Sequence, residues 1–271
     1  MHCTMQELES LLCRVEDGLC VVTLNRPDRK NAVHAVMYEE ITKVLKVAGQ
    51  DPNVVVLILT GAGDYYSSGN DLGNFKKAAG SREALEQLFD ESAEMMIRFV
   101  DAFIEFPKPL IAAVNGPALG IMATTLGLCD TVYASTSATF STPFSQLALS
   151  PEGCSTVTFP AMMGSATAND VLLFGRVLSA EEAKQNHLVA RVFPAETFLQ
   201  DVLTLGRKYA KMAPESTSLS KKIIRSMTID QLKDANRAEA KLLRQRWSSR
   251  EAMEAVITFF MSRGGGGLAK L

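Results

Sequence analysis

The chain has 271 residues, with 28 Lys and Arg against 30 Asp and Glu, a formal net charge of −2, and 47% hydrophobic residues. That balance leaves no basic footprint for nucleic acid or an anionic membrane surface, and it is too apolar for a disordered chain. The length suits one large domain, or one domain with an appendage. Five cysteines (Cys3, Cys13, Cys20, Cys129 and Cys154) are scattered without a CxxC pair, which argues for a reducing compartment rather than a disulfide framework. The opening MHCTMQELES has neither a basic nor an apolar signal region, so no N-terminal secretory signal is expected.

Residues 18–25 (GLCVVTLN) are rich in β-formers and stop at Arg26-Pro27, which predicts a strand. Val33, Val36, Met37, Ile41, Val44, Leu45 and Ala48 fall at helical spacing and predict a helix over 32–49 with Gly49 as its C-cap. The apolar run 53–60 (NVVVLILT) suits a strand buried on both faces. A second amphipathic helix is expected over 82–105, stopped by Phe106-Pro107-Lys108-Pro109. Residues 110–129 approach the ~20 residues of a bilayer span. Asn115, Gly116 and Pro117 interrupt them, so they read as a buried strand, a turn and a buried helix.

Short strands are expected near 131–134 and 138–141. Strands alternating with helices imply parallel pairing through crossovers, hence an α/β core. After about residue 193 the pattern turns helical, over 196–210, 214–226, 229–247 and 249–263, with Ser248-x-x-Glu251 as a capping box for the last helix. The expected organisation is an extension over 1–14, a core over 15–195, a helical region over 196–263 and a Gly-rich tail over 264–271.

Familiar hydrolytic and metal patterns find no support. His2, His34 and His187 sit at a terminus, a helix start and a helix end, and there is no GxSxG, HExxH or paired Cys/His spacing. Gly61-Ala62-Gly63 follows a strand, but Tyr66 breaks the dinucleotide-binding fingerprint. Three other segments hold chemical potential. Tyr65 to Leu72 and Val114 to Ile121 are each a strand end running into a Gly-containing turn. Such turns expose backbone N–H groups, and two convergent donors make an oxyanion hole. Read alone, either is also an ordinary turn. In the third segment, Leu149-Ser150-Pro151-Glu152-Gly153-Cys154-Ser155, Glu152 is the one Asp, Glu, Lys, Arg or His between Ala138 and Gly164. A carboxyl in apolar surroundings has a raised pKa and makes a base near neutral pH. The plainer reading is a helix-N-terminal Glu stabilised by the dipole.

In order, the stretches Asn25-Arg26-Pro27-Asp28-Arg29-Lys30-Asn31-Ala32, Ser67-Ser68-Gly69-Asn70-Asp71-Leu72, residues 107–120 (PKPLIAAVNGPALG), Cys129-Asp130 and Leu178-Ser179-Ala180-Glu181-Glu182-Ala183 resemble the enoyl-CoA hydratase/isomerase (crotonase) superfamily. The resemblance runs from about residue 15 to 263. It implies an α/β, crotonase-like spiral of ββα units with a C-terminal helical trimerisation region, as a homotrimer or dimer of trimers. It also implies an acyl-CoA thioester substrate, no metal and no cofactor beyond the CoA carried by the substrate. By motif position the oxyanion donors are the backbone N–H groups of Asn70 and Ile121; the family usually has glycine at the latter, but Ile121 keeps the N–H.

The two glutamates used by the family's hydratases fall at Thr124 and Phe144, neither of which can act as acid or base. Glu152 lies eight residues beyond Phe144, in a setting resembling the peroxisomal Δ3,Δ2-enoyl-CoA isomerases. The resemblance therefore implies a shift of a 3-enoyl-CoA double bond to the trans-2 position, with Glu152 moving the proton from C2 to C4. Alternatives are another crotonase activity, such as acyl-CoA hydrolysis or weak hydration, or a non-catalytic acyl-CoA-binding protein. CoA and substrate contacts are expected from Arg26, Arg29, Lys30, Ala32, Ser68, Asp71, Leu72, Lys76 and Phe144, with Lys77 beside them. Asp71 and Asp130 read more readily as residues that orient turns. The last residues, Ala269-Lys270-Leu271, resemble a peroxisomal address, which implies an import receptor as partner and the peroxisomal matrix as destination. An N-terminal acyl-CoA-binding domain, carried by some relatives of these isomerases, is not expected in the roughly 14 residues before the core.

Overall fold

The computed structural model describes residues 8–71 and 82–262. It begins with a hairpin. β1 (Leu11–Glu16) and β2 (Leu19–Leu24) pair antiparallel across Asp17 and Gly18, both at positive φ. That left-handed pair matches the twist of the flanking strands. The sequence reading placed no strand at β1, whose LLCRVE pattern is half-exposed. β3 (Val56–Gly61), β4 (Leu110–Val114), β6 (Thr131–Ser135) and β9 (Arg191–Phe193) then add in parallel, giving a six-stranded sheet in the order β1-β2-β3-β4-β6-β9. A second sheet joins β5 (Ala118–Leu119), β7 (Thr139–Ser141) and β8 (Leu178–Ser179).

Successive strand residues point to opposite faces. Leu57 and Leu59 of β3 therefore pack with Met37 and Ile41 of α1 (Ala35–Gln50) and with Phe99 and Phe103 of α2 (Arg82–Glu105). Val56 and Ile58 face the other way, against Phe198 and Val202 of α6 (Phe198–Tyr209). Covering on both faces explains the uninterrupted apolar run in β3. α7 (Pro214–Ser226), α8 (Ile229–Trp247) and α9 (Arg250–Ser262) follow. α8 lies on α2: Asn236 Nδ2 donates to the Ile97 carbonyl and to Asp101, and Arg244 pairs with Glu86 and Asp90.

Several boundaries differ from the sequence expectation. α1 starts at Ala35 rather than 32, because Lys30 and Asn31 are left-handed and Val33 pairs as a β-bridge with Asn70. Gly49 lies inside α1, and the extended Asp51 takes the C-cap, its N–H donating to Val47. The expected Ser248–Glu251 box is not formed. Ser249 Oγ accepts the Ala252 N–H, while Glu251 pairs with Arg246. A reciprocal box forms instead at Ser179 and Glu182, heading α5 (Ala180–Gln185). Residues 110–129 divide into β4, β5, the single turn α3 (Ile121–Thr124) and a 3-10 turn over Thr125–Leu128. No described helix is long and apolar enough to cross a membrane.

Candidate active site

β3 and β4 are neighbours, so the turns after them leave the same end of the sheet. The first turn is held from both sides. Ser67 donates its N–H to the Pro117 carbonyl and accepts from the Leu119 N–H, joining it to β5. Val33 bonds to the residues flanking Asn70, with its N–H to the Gly69 carbonyl and its carbonyl to the Asp71 N–H. In a parallel bridge of that form the N–H of the intervening residue points away from the partner strand. Asn70 thus directs its N–H away from Val33, toward the side on which β5 lies.

Buried Asn31 ties this region together. Its Nδ2 donates to the Ala62 and Tyr65 carbonyls, its Oδ1 accepts the Arg26 N–H, and its carbonyl accepts Ser67 Oγ–H. The left-handed conformation at Asn31 is one an Asn adopts more readily than most residues.

The second turn depends on Gly120, at φ 52 and ψ −130. It precedes α3, so Ile121 is the first residue of that helical turn and its N–H has no carbonyl partner within the helix. The two turns touch. A Cβ on Gly69 would lie 2.9 Å from the Leu119 carbonyl oxygen, and one on Gly120 would lie 3.8 Å from Gly69 Cα. Glycine at both positions is what permits the approach.

Glu152 completes the arrangement. A Cβ on Gly120 would sit 3.9 Å from Glu152 Oε1, so the carboxylate borders the second turn. The backbone beside it is equally close, since a Cβ on Gly153 would fall 2.4 Å from Thr124 Oγ1 and 3.4 Å from Ile121 Cδ1. Glu152 is 8% exposed, and among the described residues its carboxylate has no hydrogen-bond or cationic partner. Burial, and secondarily the charge of Glu239, push its pKa up to about 8. It is not a helix-terminal residue. Gly153 and Cys154 take positive φ, and α4 (Ser155–Leu172) starts only after them.

A family model described as Enoyl-CoA hydratase/isomerase matches residues 14–264. The chain belongs to the enoyl-CoA hydratase/isomerase family. It is 49% identical over 254 residues to enoyl-CoA delta isomerase 2 of Rattus norvegicus, covering 94% of this chain and 64% of that protein. It thus spans just under two thirds of that relative's length. It is 43% identical over 258 residues to "Enoyl-CoA delta isomerase 3, peroxisomal" of Mus musculus, covering 95% of this chain and 80% of that one. Its fold matches the crystal structure of an enoyl-CoA hydratase/isomerase from Pseudoalteromonas atlantica T6c with a TM-score of 0.85 and 34% identity, over 96% of this chain and all of that one. The family's crotonase fold, with C-terminal helices α6–α9, is the architecture described above.

Within that frame, Gly69, Gly120 and Glu152, the first two adjoining Asn70 and Ile121, come from three segments to one place. Thr124 is fully buried beside Gly153, its hydroxyl donating to the Ile121 carbonyl, and Phe144 is buried too. The basic residues are spread differently. Arg26 is half-buried and its guanidinium is engaged by the Ala32 carbonyl and by Asp71 at 3.0 Å. Arg29 is exposed, and Lys30 places its ammonium 4.9 Å from the centre of the Tyr65 ring. Ser68 is partly exposed and gives its N–H to the Lys30 carbonyl. Asp130 orients structure, accepting the Leu110 N–H and pairing with Lys221. Leu72, Lys76, Lys77 and the 264–271 tail lie outside the described residues.

The sequence reading missed Glu239. This residue of α8 is 7% exposed and reaches the Glu152 turn. The signal was present in α8, where Asn236 and Glu239 interrupt the buried face formed by Leu232, Ala240 and Leu243. A carboxylate on a core face requires partners.

Proposed function

We propose that the chain is a Δ3,Δ2-enoyl-CoA isomerase, converting 3-enoyl-CoA thioesters to trans-2-enoyl-CoA in the oxidation of unsaturated fatty acids. The observation that carries this reading is the carboxylate of Glu152, buried against the Gly120–Ile121 turn, with Thr and Phe rather than carboxylates at 124 and 144. Adding water needs a group to activate it and a group to protonate carbon, and Thr124 and Phe144 supply neither. Moving a double bond needs one base that takes a proton from C2 and returns it to C4.

In this mechanism Glu152 removes the C2 proton while the thioester oxygen becomes an enolate oxygen, held by the N–H groups of Asn70 and Ile121. Each such donor is worth roughly 2.7–4 kcal/mol of barrier. Protonated Glu152 then delivers its proton to C4, and the enolate collapses to the conjugated thioester. The proton is conserved, so no cofactor is consumed. A pKa near 8 suits both halves, since the base must give up what it takes. The delta-isomerase names of the rat and mouse relatives support the same reading.

CoA contacts are assigned to Arg29 and Lys30, with Arg26, Ala32, Ser68 and Asp71 near the path of the acyl-CoA and Phe144 against the acyl chain; Leu72 and Lys76 are assigned to the same contacts by their position in the sequence alone. Assembly as a homotrimer or dimer of trimers, and delivery to the peroxisomal matrix through Ala269-Lys270-Leu271, belong to the same proposal.

The test is to incubate purified protein with trans-3-hexenoyl-CoA and with crotonyl-CoA and to follow conjugation and hydration. Conjugation without hydration, abolished in Glu152→Gln while CoA-ester binding persists, is the expected result. Hydration as the dominant activity, or an unimpaired Glu152→Gln, would overturn it.

A further inference from the structure

The turn that carries Glu152 is held from two sides: by its own helix, whose first residue Ser155 gives its N–H and its hydroxyl to the Glu152 carbonyl, and by α8. Cys154 stands at the N-cap of α4, in a left-handed conformation, and its side chain caps nothing. The first N–H groups of a helix nonetheless require acceptors. Those of Cys154 and Thr156 find theirs 85 and 83 residues away. Glu239 Oε2 accepts the Cys154 N–H at 2.7 Å, and Glu239 Oε1 accepts both the Thr156 N–H and the Thr156 hydroxyl. Cys154 Sγ–H donates to the Leu232 carbonyl, one more link from this turn to α8. Three donors converge on the two oxygens of one carboxylate. A carboxamide would satisfy only one side, because its NH₂ would face another donor.

We propose that Glu239 is a positioning residue for the reaction: from α8 it fixes the turn bearing the Glu152 base and supplies the negative charge beside which that base works. The proposal rests on the reading of Glu152 as the base. Glu239 has no ion-pair partner among the described residues; burial raises its pKa, and the hydrogen bonds from Thr156 and Cys154 oppose that rise and favour its ionised form.

Among the described residues, Tyr38 on α1 interacts with Glu152, and Cys154 on the turn interacts with Glu239, with Asp101 on α2 and with Arg225 on α7. Asp101 is engaged by Asn236 Nδ2 and Arg237, and Arg225 by the Leu128 carbonyl and Asp130. Tyr38 and Cys154 are held in their neutral forms by burial, their pKa values lying above the usual range. Glu239 is therefore the nearby group whose removal most directly changes the field at Glu152. Its charge raises the proton affinity of Glu152, and a stronger base abstracts a C2 proton more readily once ionised.

The experiment is the pH profile of kcat for trans-3-hexenoyl-CoA, with KM recorded at each pH, in wild type, Glu239→Gln, Glu239→Asp, Thr156→Ala and Glu152→Gln. Glu239→Gln moves the acid limb to lower pH by about one unit and lowers the plateau about tenfold, with KM little changed. Glu239→Asp keeps the charge and leaves the limb in place. Thr156→Ala takes away a hydrogen bond that holds Glu239 in its ionised form, so it weakens that charge and moves the limb downward, less far than Glu239→Gln. That variant retains the core packing, so it tests the charge argument even if Glu239→Gln fails to fold. A limb that stays fixed in both Glu239→Gln and Thr156→Ala, or in Thr156→Ala alone if Glu239→Gln is unfolded, overturns the role of Glu239. Full activity in Glu152→Gln overturns the base assignment and this proposal together, whereas loss of activity there with a fixed limb overturns the proposal alone.

Discussion

Burying Glu152 without a counter-charge should cost the fold stability, and the cost should follow pH. In the unfolded chain this carboxyl ionises with its ordinary value of 4.5, and in the fold it does so at about 8. Between those values the folded protein keeps a proton that the unfolded chain releases, so raising the pH favours unfolding. Each pH unit is worth about 1.36 kcal/mol, which accumulates to about 3 kcal/mol by pH 7 and about 5 kcal/mol above pH 8. Glu152→Gln keeps the shape of the side chain and removes the titration. The variant should therefore match wild type to within a constant offset near pH 4.5 and become progressively more stable than wild type toward pH 8.5. Urea unfolding followed by circular dichroism at pH 5, 6, 7 and 8.5, with the slope m checked for constancy, measures the difference directly. A stability difference that does not change across that range would mean that the carboxylate is solvated or paired in the native protein. The reasoning from burial to basicity would then fail.

Two further outcomes follow from the geometry. Gly69→Ala places a methyl group 2.9 Å from the Leu119 carbonyl oxygen at a residue with φ +84, separating the two turns; kcat in the conjugation assay should drop about 100-fold with little change in KM or in the circular dichroism spectrum. Asp130→Ala leaves the Lys221 ammonium, 8% exposed, without its partner and strips the Leu110 N–H of its acceptor. Urea unfolding at neutral pH should show a loss of about 3–5 kcal/mol, much of it recovered in the Asp130→Ala, Lys221→Met double variant.

The fold was legible where one physical rule dominated. β3 could be read from its apolar run, and α8 from its helical pattern, because burial on a defined face dictates those patterns. The hairpin strand β1 and the true start of α1 were not, since both are set by pairing with distant chain: β1 with β2, and Val33 with Asn70. Within the candidate site, Glu152 stood out as a lone charge in an uncharged stretch, and the two glycine turns stood out as strand ends. Their meeting point could not be read. The contacts of Gly120 with Gly69 and with Glu152 are tertiary, and no local pattern encodes them. Glu239 was lost for the same reason, since its partners are more than 80 residues back along the chain. Arg26 is a further case. Its place in the resemblance implied a CoA contact, whereas the bonds its guanidinium makes in the fold, to Asp71 and the Ala32 carbonyl, have no local sequence signal.

The link between Cys154 and Glu239 spans 85 residues, which has a consequence for how the molecule is made. Local elements of a chain form quickly, while contacts between remote segments wait on closure of the loop between them. A ribosome delivers the chain N-terminus first, so the sheet and both glycine turns are available before α8 exists. During that interval the Glu152 turn is held through Ser155 of its own helix and lacks its second anchor, on α8. If Glu239 positions the base as proposed, a chain truncated before residue 229 should retain the sheet sequence and lack that second anchor.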